Sequence, residues 1–239
     1  MKKVSLLVLM ILALIASAFF VSKSRTFQFF GELVSKVETD SKVVALTFDD
    51  GPWGEKYADE VIEIMDGLNV KGTFFLNGKS IDKRPEVSKR LVHAGHDIGN
   101  HSYNHKYMVF MGLDEVKNEV DLTTKSIRGI GYGGDIYFRP PYGKKLFTLP
   151  YYLQKEGIIT VLWDVEPESY DEAKVNPEAM AAHVVDHAKP GSIILLHALG
   201  SNNQVSRDSI SLIVRDLRAK GFRFVTLTEL FKENPHQGY

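Results

Sequence analysis

Residues 42–52 read KVVALTFDDGP, and this stretch decides the fold. Its first part, residues 43–49, is a continuous apolar run ending in an acid, typical of a strand buried on both faces of a parallel sheet. The strand ends in two adjacent carboxylates, Asp49 and Asp50, and a Gly-Pro turn follows. Neighbouring anions repel and lose hydration beside an apolar strand, so the pair predicts a cation, or a reaction that uses both groups.

Beyond this strand, strand-like and helix-like segments alternate about seven times. The predicted strands are residues 43–49, 72–76, 96–99, 137–138, 158–165, 192–196 and 222–227. The predicted helices are residues 57–68, 85–94, 113–130, 149–156, 177–188 and 209–220. The pattern predicts one α/β domain over residues 42–239. A β/α barrel is favoured over an open doubly wound sheet, because no G-x-G-x-x-G turn follows the first strand.

The N-terminus, residues 1–24, has a different composition. Lys2 and Lys3 precede eighteen uncharged residues, which is typical of an export signal. An A-x-A cleavage site lies at residues 16–18, but apolar residues continue past it. Eighteen helical residues would reach ~27 Å, barely a bilayer span. A cleaved signal peptide and an uncleaved signal-anchor both stay open, with the anchor slightly favoured. Residues 25–41 are a predicted connector.

Composition and charge exclude several classes of protein. The chain of 239 residues has no cysteine, which rules out disulfides, thiolate metal sites and a cysteine nucleophile. Residues 1–25 hold four of the 29 basic residues and none of the 30 acidic ones, so the remainder carries a formal charge of −5. A nucleic-acid partner is therefore not expected, and no obligate protein partner is evident. An exported domain is expected, either membrane-anchored or secreted or periplasmic.

Polar residues follow five of the predicted strands. These stretches are the paired aspartates, HDIGNHSYNH (96–105), FRPPYG (138–143), LWDVEPESY (162–170) and ILLHALG (194–200). In a barrel, all five would surround one mouth. His101 and His105 lie four apart, so a helical turn would project both imidazoles from one face at metal-binding distance. His183 and His187 have the same spacing but lie inside a predicted amphipathic helix, where packing or solvent exposure explains them.

The stretches TFDDGP, HSYNH, RPPYG and LLH, in this order, resemble the signature blocks of the polysaccharide deacetylase family. This is the fourth family of carbohydrate esterases, which includes chitin, chitooligosaccharide and peptidoglycan deacetylases. The resemblance covers about residues 42–231. It implies a distorted (β/α) barrel of about seven strands and one divalent metal ion, often Zn²⁺, with Co²⁺ as an alternative.

The resemblance also implies a role for each matching residue. Asp50, His101 and His105 would bind the metal, and Asp49 would be the general base. The remaining roles are Arg139 beside Asp49 to hold it ionised, the Tyr142 backbone N–H for the oxyanion, His197 as general acid, and Leu195 lining the acetyl pocket. Trp163 and Tyr170 are either core aromatics or a platform for a sugar ring.

Simpler structural interpretations of the same residues stay open. The paired aspartates also suit a helix N-cap followed by a first-turn acid. Arg139 suits a surface salt bridge, and His197 suits a satisfied core histidine.

The fourth block departs from the family pattern. Asp-Trp usually ends it, with the aspartate bonded to the acid histidine, whereas Ser169 and Tyr170 stand at the matching place. Three carboxylates are available to support His197: Asp164, Glu166 and Glu168. Glu166 is the predicted one.

The predicted function is metal-dependent N-deacetylation of an envelope glycan built from N-acetylhexosamine, such as peptidoglycan or a chitin-like oligosaccharide. One alternative is an O-acetyl esterase, or another C–N hydrolase, of the same fold. A non-catalytic, membrane-anchored glycan-binding protein is the third hypothesis. The expected partners are the glycan and, through an uncleaved N-terminal segment, the membrane.

Overall fold

The computed structural model describes the backbone of residues 2–234 and the side chains of residues 9–234. Strands and helices alternate in it as the sequence predicts. The strands are β1 (Leu33–Val34), β2 (Val43–Asp49), β3 (Thr73–Leu76), β4 (Asp97–Asn100), β5 (Thr160–Val161), β6 (Ile193–Leu196) and β7 (Arg223–Val225). The helices are α1 (Lys2–Ser22), α2 (Glu55–Gly67), α3 (Gly78–Lys83), α4 (Pro85–His93), α5 (Leu113–Gly129), α6 (Thr148–Lys155), α7 (Pro177–His187), α8 (Gln204–Ala219) and α9 (Leu227–Phe231).

The strand β2 is the centre of a parallel sheet. β6 pairs with β2 along one edge. Along the other edge, β7 pairs with the first half of β2 and β3 pairs with its second half. β4 extends the sheet beyond β3, and β1 pairs with β5 in a separate short ladder. Because these strands are parallel, their carboxyl ends lie at one edge of the sheet.

The predicted barrel does not close. Among the described residues, the ladders stop at β4 on one side and β6 on the other, and single bridges span the gap. These bridges join Asn100 to Phe138, Phe138 to Thr160, and Val165 to Ile194. The predicted strand at 137–138 is therefore absent as a ladder and is represented by isolated bridges at Phe138. Of the strand predicted over 158–165, only the two residues of β5 form a ladder.

Local chemistry explains why these two strands are short. Pro140 and Pro141 follow Arg139 directly, and proline has no N–H for a ladder. Asp164 places its side-chain Oδ1 2.8 Å from the Ile193 N–H, so a carboxylate takes a donor that a neighbouring strand would otherwise pair. Regular pairing therefore ends where polar side chains begin.

The side chains of β2 alternate between two faces of the sheet, and the polar ones lie on one face only. Val44, Leu46 and Phe48 pack into the cluster that includes the helices α2, α7 and α8. Successive strand side chains point to opposite faces, so Thr47 and Asp49 share the other face with Val43 and Ala45. Every residue of β2 is buried. The strand thus carries two polar side chains, at its carboxyl end, into the interior.

The N-terminal part of the described chain packs partly against this domain. Val34 and Val37, in the predicted connector 25–41, are buried in the second core cluster. Within the described residues, no helix has the length and apolar character needed to cross a membrane. The choice between a cleaved signal peptide and an uncleaved anchor in residues 1–24 stays a prediction. Met1 and the last five residues of the predicted domain, 235–239, lie outside the described residues.

Candidate active site

Asp50, His101 and His105 come together at the carboxyl edge of the sheet. The Oδ1 atom of Asp50 lies 3.3 Å from Nε2 of His105 and 3.7 Å from Nε2 of His101. One ligand atom from each residue lies within 4.8 Å of the other two. The structure therefore brings together the three residues that the resemblance implies as metal ligands.

The donor set fits a divalent metal ion. Oδ1 of Asp50 is buried and has no hydrogen-bond partner among the described residues, and an orphaned buried oxygen is costly without a cation. Burial and the neighbouring His101 lower the pKa of His105, which favours the neutral imidazole that binds metals. Two imidazoles and one carboxylate leave coordination positions open, as in a catalytic site.

The two histidines meet through a loop, not through the predicted helical turn. Residues 101–105 form no helix, and Ser102 and His105 have positive φ angles of 62° and 56°. The hydroxyl of Ser102 accepts the N–H of His105 at 3.0 Å, which closes a tight turn. An irregular backbone, not a helix, thus brings the rings of His101 and His105 together, with their centroids 5.0 Å apart.

Buried polar side chains hold this loop in place. His101 pairs through Nδ1 with the Arg139 carbonyl at 2.8 Å, so that its Nε2 faces Asp50. The side chain of Asn77 accepts the Gly51 N–H at 3.1 Å and donates to the His101 carbonyl at 3.0 Å. Glu119, buried on α5, accepts the backbone N–H groups of residues 103 and 104. Asn77 and Glu119 were not predicted as site residues from the sequence.

Asp49 lies beside the three metal-ligand residues in a separate ion pair. Its Oδ1 accepts Nη1 of Arg139 at 2.7 Å, while its Oδ2 lies 3.7 Å from Nε2 of His101. Arg139 is fully buried, donates also to Thr47, and lies 4.0 Å from the centre of the Phe75 ring. Burial lowers the pKa of Arg139, and the charge of Asp49 opposes that effect. The surface salt bridge and helix-cap alternatives for these residues are wrong.

His197 follows β6 and pairs with a carboxylate, but not with the predicted one. Glu168 accepts the His197 backbone N–H at 3.0 Å and bonds its Nδ1 closely. Glu166, the predicted partner, instead accepts Nε1 of Trp163 and the guanidinium of Arg25. Asp164 accepts the hydroxyl of Ser192. The prediction of Glu166 is therefore wrong.

Glu168 was one of the three candidate carboxylates in the sequence. It lies one residue before Ser169, which stands where the family usually has its aspartate, and its side chain is one methylene longer. Glu168 is in the 3₁₀ turn Pro167–Ser169, and the hydroxyl of Ser206 on α8 donates to its other oxygen. The longer side chain compensates for the earlier position.

Glu168 changes the acidity of His197. Burial alone would lower the pKa of the imidazole, but the hydrogen bond and charge of Glu168 outweigh it, with smaller effects from Asp49 and Asp50. Together they raise the pKa of His197 to about 9. The side chain is therefore a cation at neutral pH and able to donate a proton.

A cleft of about 410 Å³ joins these groups. Leu195 is buried in its wall, and Trp163 is only 6% exposed. Tyr142 is at the mouth with φ of 60°, and its backbone N–H makes no hydrogen bond to a described residue. Tyr170 lies apart from this cleft, against His183. His183 stacks on His187 within α7, so that pair lies outside the site.

Comparison with known proteins identifies the family. The model of the family described as polysaccharide deacetylase matches residues 36–161, slightly more than half of the chain. The peptidoglycan-N-acetylglucosamine deacetylase of Bacillus cereus is 35% identical over 190 residues, which cover 79% of this chain and 68% of that protein. The peptidoglycan-N-acetylmuramic acid deacetylase PdaA of Bacillus subtilis is 31% identical over 204 residues, covering 82% and 73%.

A solved structure gives the same result. The crystal structure of the Bc1960 peptidoglycan N-acetylglucosamine deacetylase, in complex with 4-naphthalen-1-yl-N-oxidanyl-benzamide, matches with a TM-score of 0.77 at 33% identity. The match covers 83% of this chain and 92% of that one. The chain belongs to the polysaccharide deacetylase family, which confirms the resemblance and the enzyme class. Members of this family use a divalent metal ion, and the Asp-His-His group fits one.

Proposed function

We propose that this protein hydrolyses N-acetyl groups of a cell-wall glycan, releasing acetate and leaving free amines. One observation carries the proposal: a single cleft is lined by the metal-ligand residues, by Asp49 and by His197. Those are the groups that amide hydrolysis needs, namely a metal site, a base and an acid. The names of the relatives support peptidoglycan as the glycan.

Each group has a defined task in the proposed reaction. A divalent ion, proposed to be Zn²⁺ with Co²⁺ as the alternative, would polarise the amide carbonyl and acidify water. Arg139 occupies Oδ1 of Asp49, which leaves Oδ2 facing the metal-ligand residues to accept the proton of the attacking water. The free Tyr142 N–H donates to the oxyanion. His197 gives its proton to the departing amine, because an amine leaves poorly as an anion.

Acetate release tests the proposal. The full chain is incubated with peptidoglycan, with N-acetylglucosamine oligomers and with O-acetylated xylan, and both acetate and new free amines are measured. Acetate with an equal amount of amine from the N-acetylated glycans is expected. Chelation should abolish this release, and Zn²⁺ or Co²⁺ should restore it. Acetate from xylan alone would favour the O-acetyl esterase, and no release from any glycan would favour a binding protein.

We also infer that the domain works outside the cytoplasm. The basic and apolar N-terminal segment, residues 1–24, supports export, and the relatives that are named for peptidoglycan agree with that location. Cell fractionation tests this inference, with the deacetylase expected in the extracytoplasmic fraction. Recovery of the protein in the cytoplasm of the source organism would contradict this inference. Recovery with the membranes would favour the uncleaved anchor over the cleaved signal peptide.

A further inference from the structure

The chain segment that follows α1 forms part of the catalytic cleft. Lys23 and Arg25 line the same cavity as the metal-ligand residues. Lys145 holds this segment: its backbone N–H donates to the Ser22 carbonyl at 3.0 Å, and its ammonium group bonds the Ser24 carbonyl. Lys145 is only 1% exposed, so the attachment is buried. The N-terminal segment is therefore fixed against the catalytic domain.

Arg25 closes one wall of this cleft. Its guanidinium lies 4.8 Å from the centre of the Trp163 ring and donates to Glu166 at 2.8 Å. Arg139 approaches the same indole, at 5.5 Å. Because Arg25 and Glu166 neutralise each other, neither is available to a charged substrate. Trp163 also has little surface left for a sugar ring.

Two further cations at this wall are not neutralised. Among the described residues, no carboxylate oxygen lies within 4.0 Å of the ammonium group of Lys23 or of Lys144. Both lie against the ring of Phe19, Lys23 at 4.0 Å and Lys144 at 5.5 Å from its centre. Lys144 also lies 5.6 Å from the centre of the Tyr107 ring. The two ammonium groups thus face one small region of the cleft edge.

The positive charge of these two lysines contrasts with the net negative charge of the rest of the chain. Residues 26–239 carry a formal charge of −5, so a polyanion has no general attraction to the domain. The two lysines belong to the cavity that also contains Tyr142 and the metal-ligand residues. A glycan placed with its acetamide at the metal site would therefore bring its neighbouring substituents towards them. Unpaired ammonium groups at such a place are suited to bind a carboxylate.

We propose that Lys23 and Lys144 form a cationic rim that selects glycans carrying a carboxylate close to the acetamido group. This inference rests on the proposed function and names the substrate class: an acidic N-acetylated glycan is preferred over a neutral one. The segment after α1 is thereby a determinant of specificity. Exposed charge pairs contribute modestly, so two of them give a preference of roughly fivefold at low salt, which falls as salt is added.

Binding measurements on the full chain test the rim. Titration calorimetry compares a neutral N-acetylglucosamine tetramer with a tetrasaccharide of alternating N-acetylglucosamine and N-acetylmuramic acid, which carries carboxylates. The Asp49→Asn background slows turnover enough for binding to be measured. We expect tighter binding of the acidic tetrasaccharide, and we expect Lys23→Gln/Lys144→Gln to remove most of this preference. Lys23→Arg/Lys144→Arg should retain it.

The control variant removes two positive charges from a surface away from the cleft. Lys117→Gln/Lys125→Gln changes two exposed lysines of α5 that do not line the cleft, and it should keep the preference. An equal affinity ratio in the original chain and in Lys23→Gln/Lys144→Gln would overturn the inference. Loss of preference in the control as well would do the same. Failure of the proposed function is separate, because it appears as absent acetate release while these affinities stay measurable.

Discussion

The two adjacent aspartates take different roles because the backbone turns between them. Asp49 is the last residue of β2, and the pleat directs it to the interior face, where Arg139 lies. Asp50 has a φ of 75°, outside the strand conformation, and this turns its carboxylate towards the two histidines. One anion is thus paired with an arginine, and the other is left for a metal ion.

This division predicts different outcomes for two substitutions. Asp50→Ala removes one of the three proposed metal ligands, so the purified protein should lose most of its bound metal and its activity. Asp49→Asn keeps the ligand set and should retain the metal while turnover falls by roughly a hundredfold or more, because the base is lost. Metal content by mass spectrometry and acetate release are the two measurements. Equal metal loss in both variants would refute the assignment.

The pairing of His197 with Glu168 predicts a pH dependence. A general acid works while it is protonated, so activity should persist through neutral pH and fall as the pH rises through the His197 pKa of about 9. In Glu168→Gln the charge is gone and burial lowers that pKa, so the alkaline limb should move to lower pH. Profiles of kcat against pH measure this shift. Glu166→Gln is the control, and an alkaline limb that moves with Glu166 instead would return the role to that residue.

At the scale of elements, the metal-ligand residues come from two loops that Asn77 ties together. Its side chain is 2% exposed and bonds Gly51 after β2 and His101 after β4. In Asn77→Ala both backbone groups lose a buried partner, at a cost of about 2–3 kcal/mol in the free energy of unfolding. Metal affinity should also fall, because the loops are no longer aligned. Urea unfolding and metal titration measure the two effects.

Asn118, an exposed asparagine, provides a control for the Asn77→Ala substitution. Asn118 on α5 is exposed, so Asn118→Ala should change neither the unfolding free energy nor the metal affinity appreciably. If Asn77→Ala weakened the fold but bound metal as tightly as the unmodified chain, Asn77 would be a structural residue only.

Elements with strong local signals could be predicted, and those that depend on distant contacts could not. β2 lies where its apolar run places it, because burial on both faces requires a continuous apolar run. α5 ends within one residue of its predicted segment, because burial of one helix face sets its period. The helices α3 and α9 have six and five residues, too few to show a period. The short pairings at Phe138 and β5 depend on Pro140, Pro141 and Asp164, whose effect on a ladder appears only in three dimensions.

The same distinction applies to the site. Convergence of the polar stretches was predicted because they follow parallel strands, whose ends lie together. The resemblance to the family's blocks then singled out Asp49, Asp50, His101, His105, Arg139 and His197. Glu168 was among the three candidate carboxylates, but Glu166 was preferred because the turn that directs Glu168 towards His197 is not evident in the sequence. Asn77, Glu119 and Lys145 were missed because a buried polar residue looks the same in sequence as an exposed one. Only the fold shows which backbone groups such residues satisfy.

At the scale of the whole molecule, the ladders of the described residues do not close into a barrel, and Arg139 spans the interior of the sheet by side-chain contacts. Its guanidinium donates to Thr47 and Asp49 on β2 and to the carbonyls of Val161 and Leu162 at β5. These bonds join β2 to β5, two strands that no ladder pairs directly among the described residues. The residue expected to serve the base is therefore also a structural crosslink.

This double role predicts a non-additive pair of substitutions. Arg139→Met should cost about 3–5 kcal/mol in the free energy of unfolding, because it leaves Asp49 buried without its partner and takes this donor from three other acceptors. Adding Asp49→Leu removes the unpaired charge, so the double variant should regain part of that stability although it is inactive. Urea unfolding of the single and double variants measures the coupling. Strictly additive costs would mean that the ion pair contributes little and that Arg139 stabilises the fold through its carbonyl contacts alone.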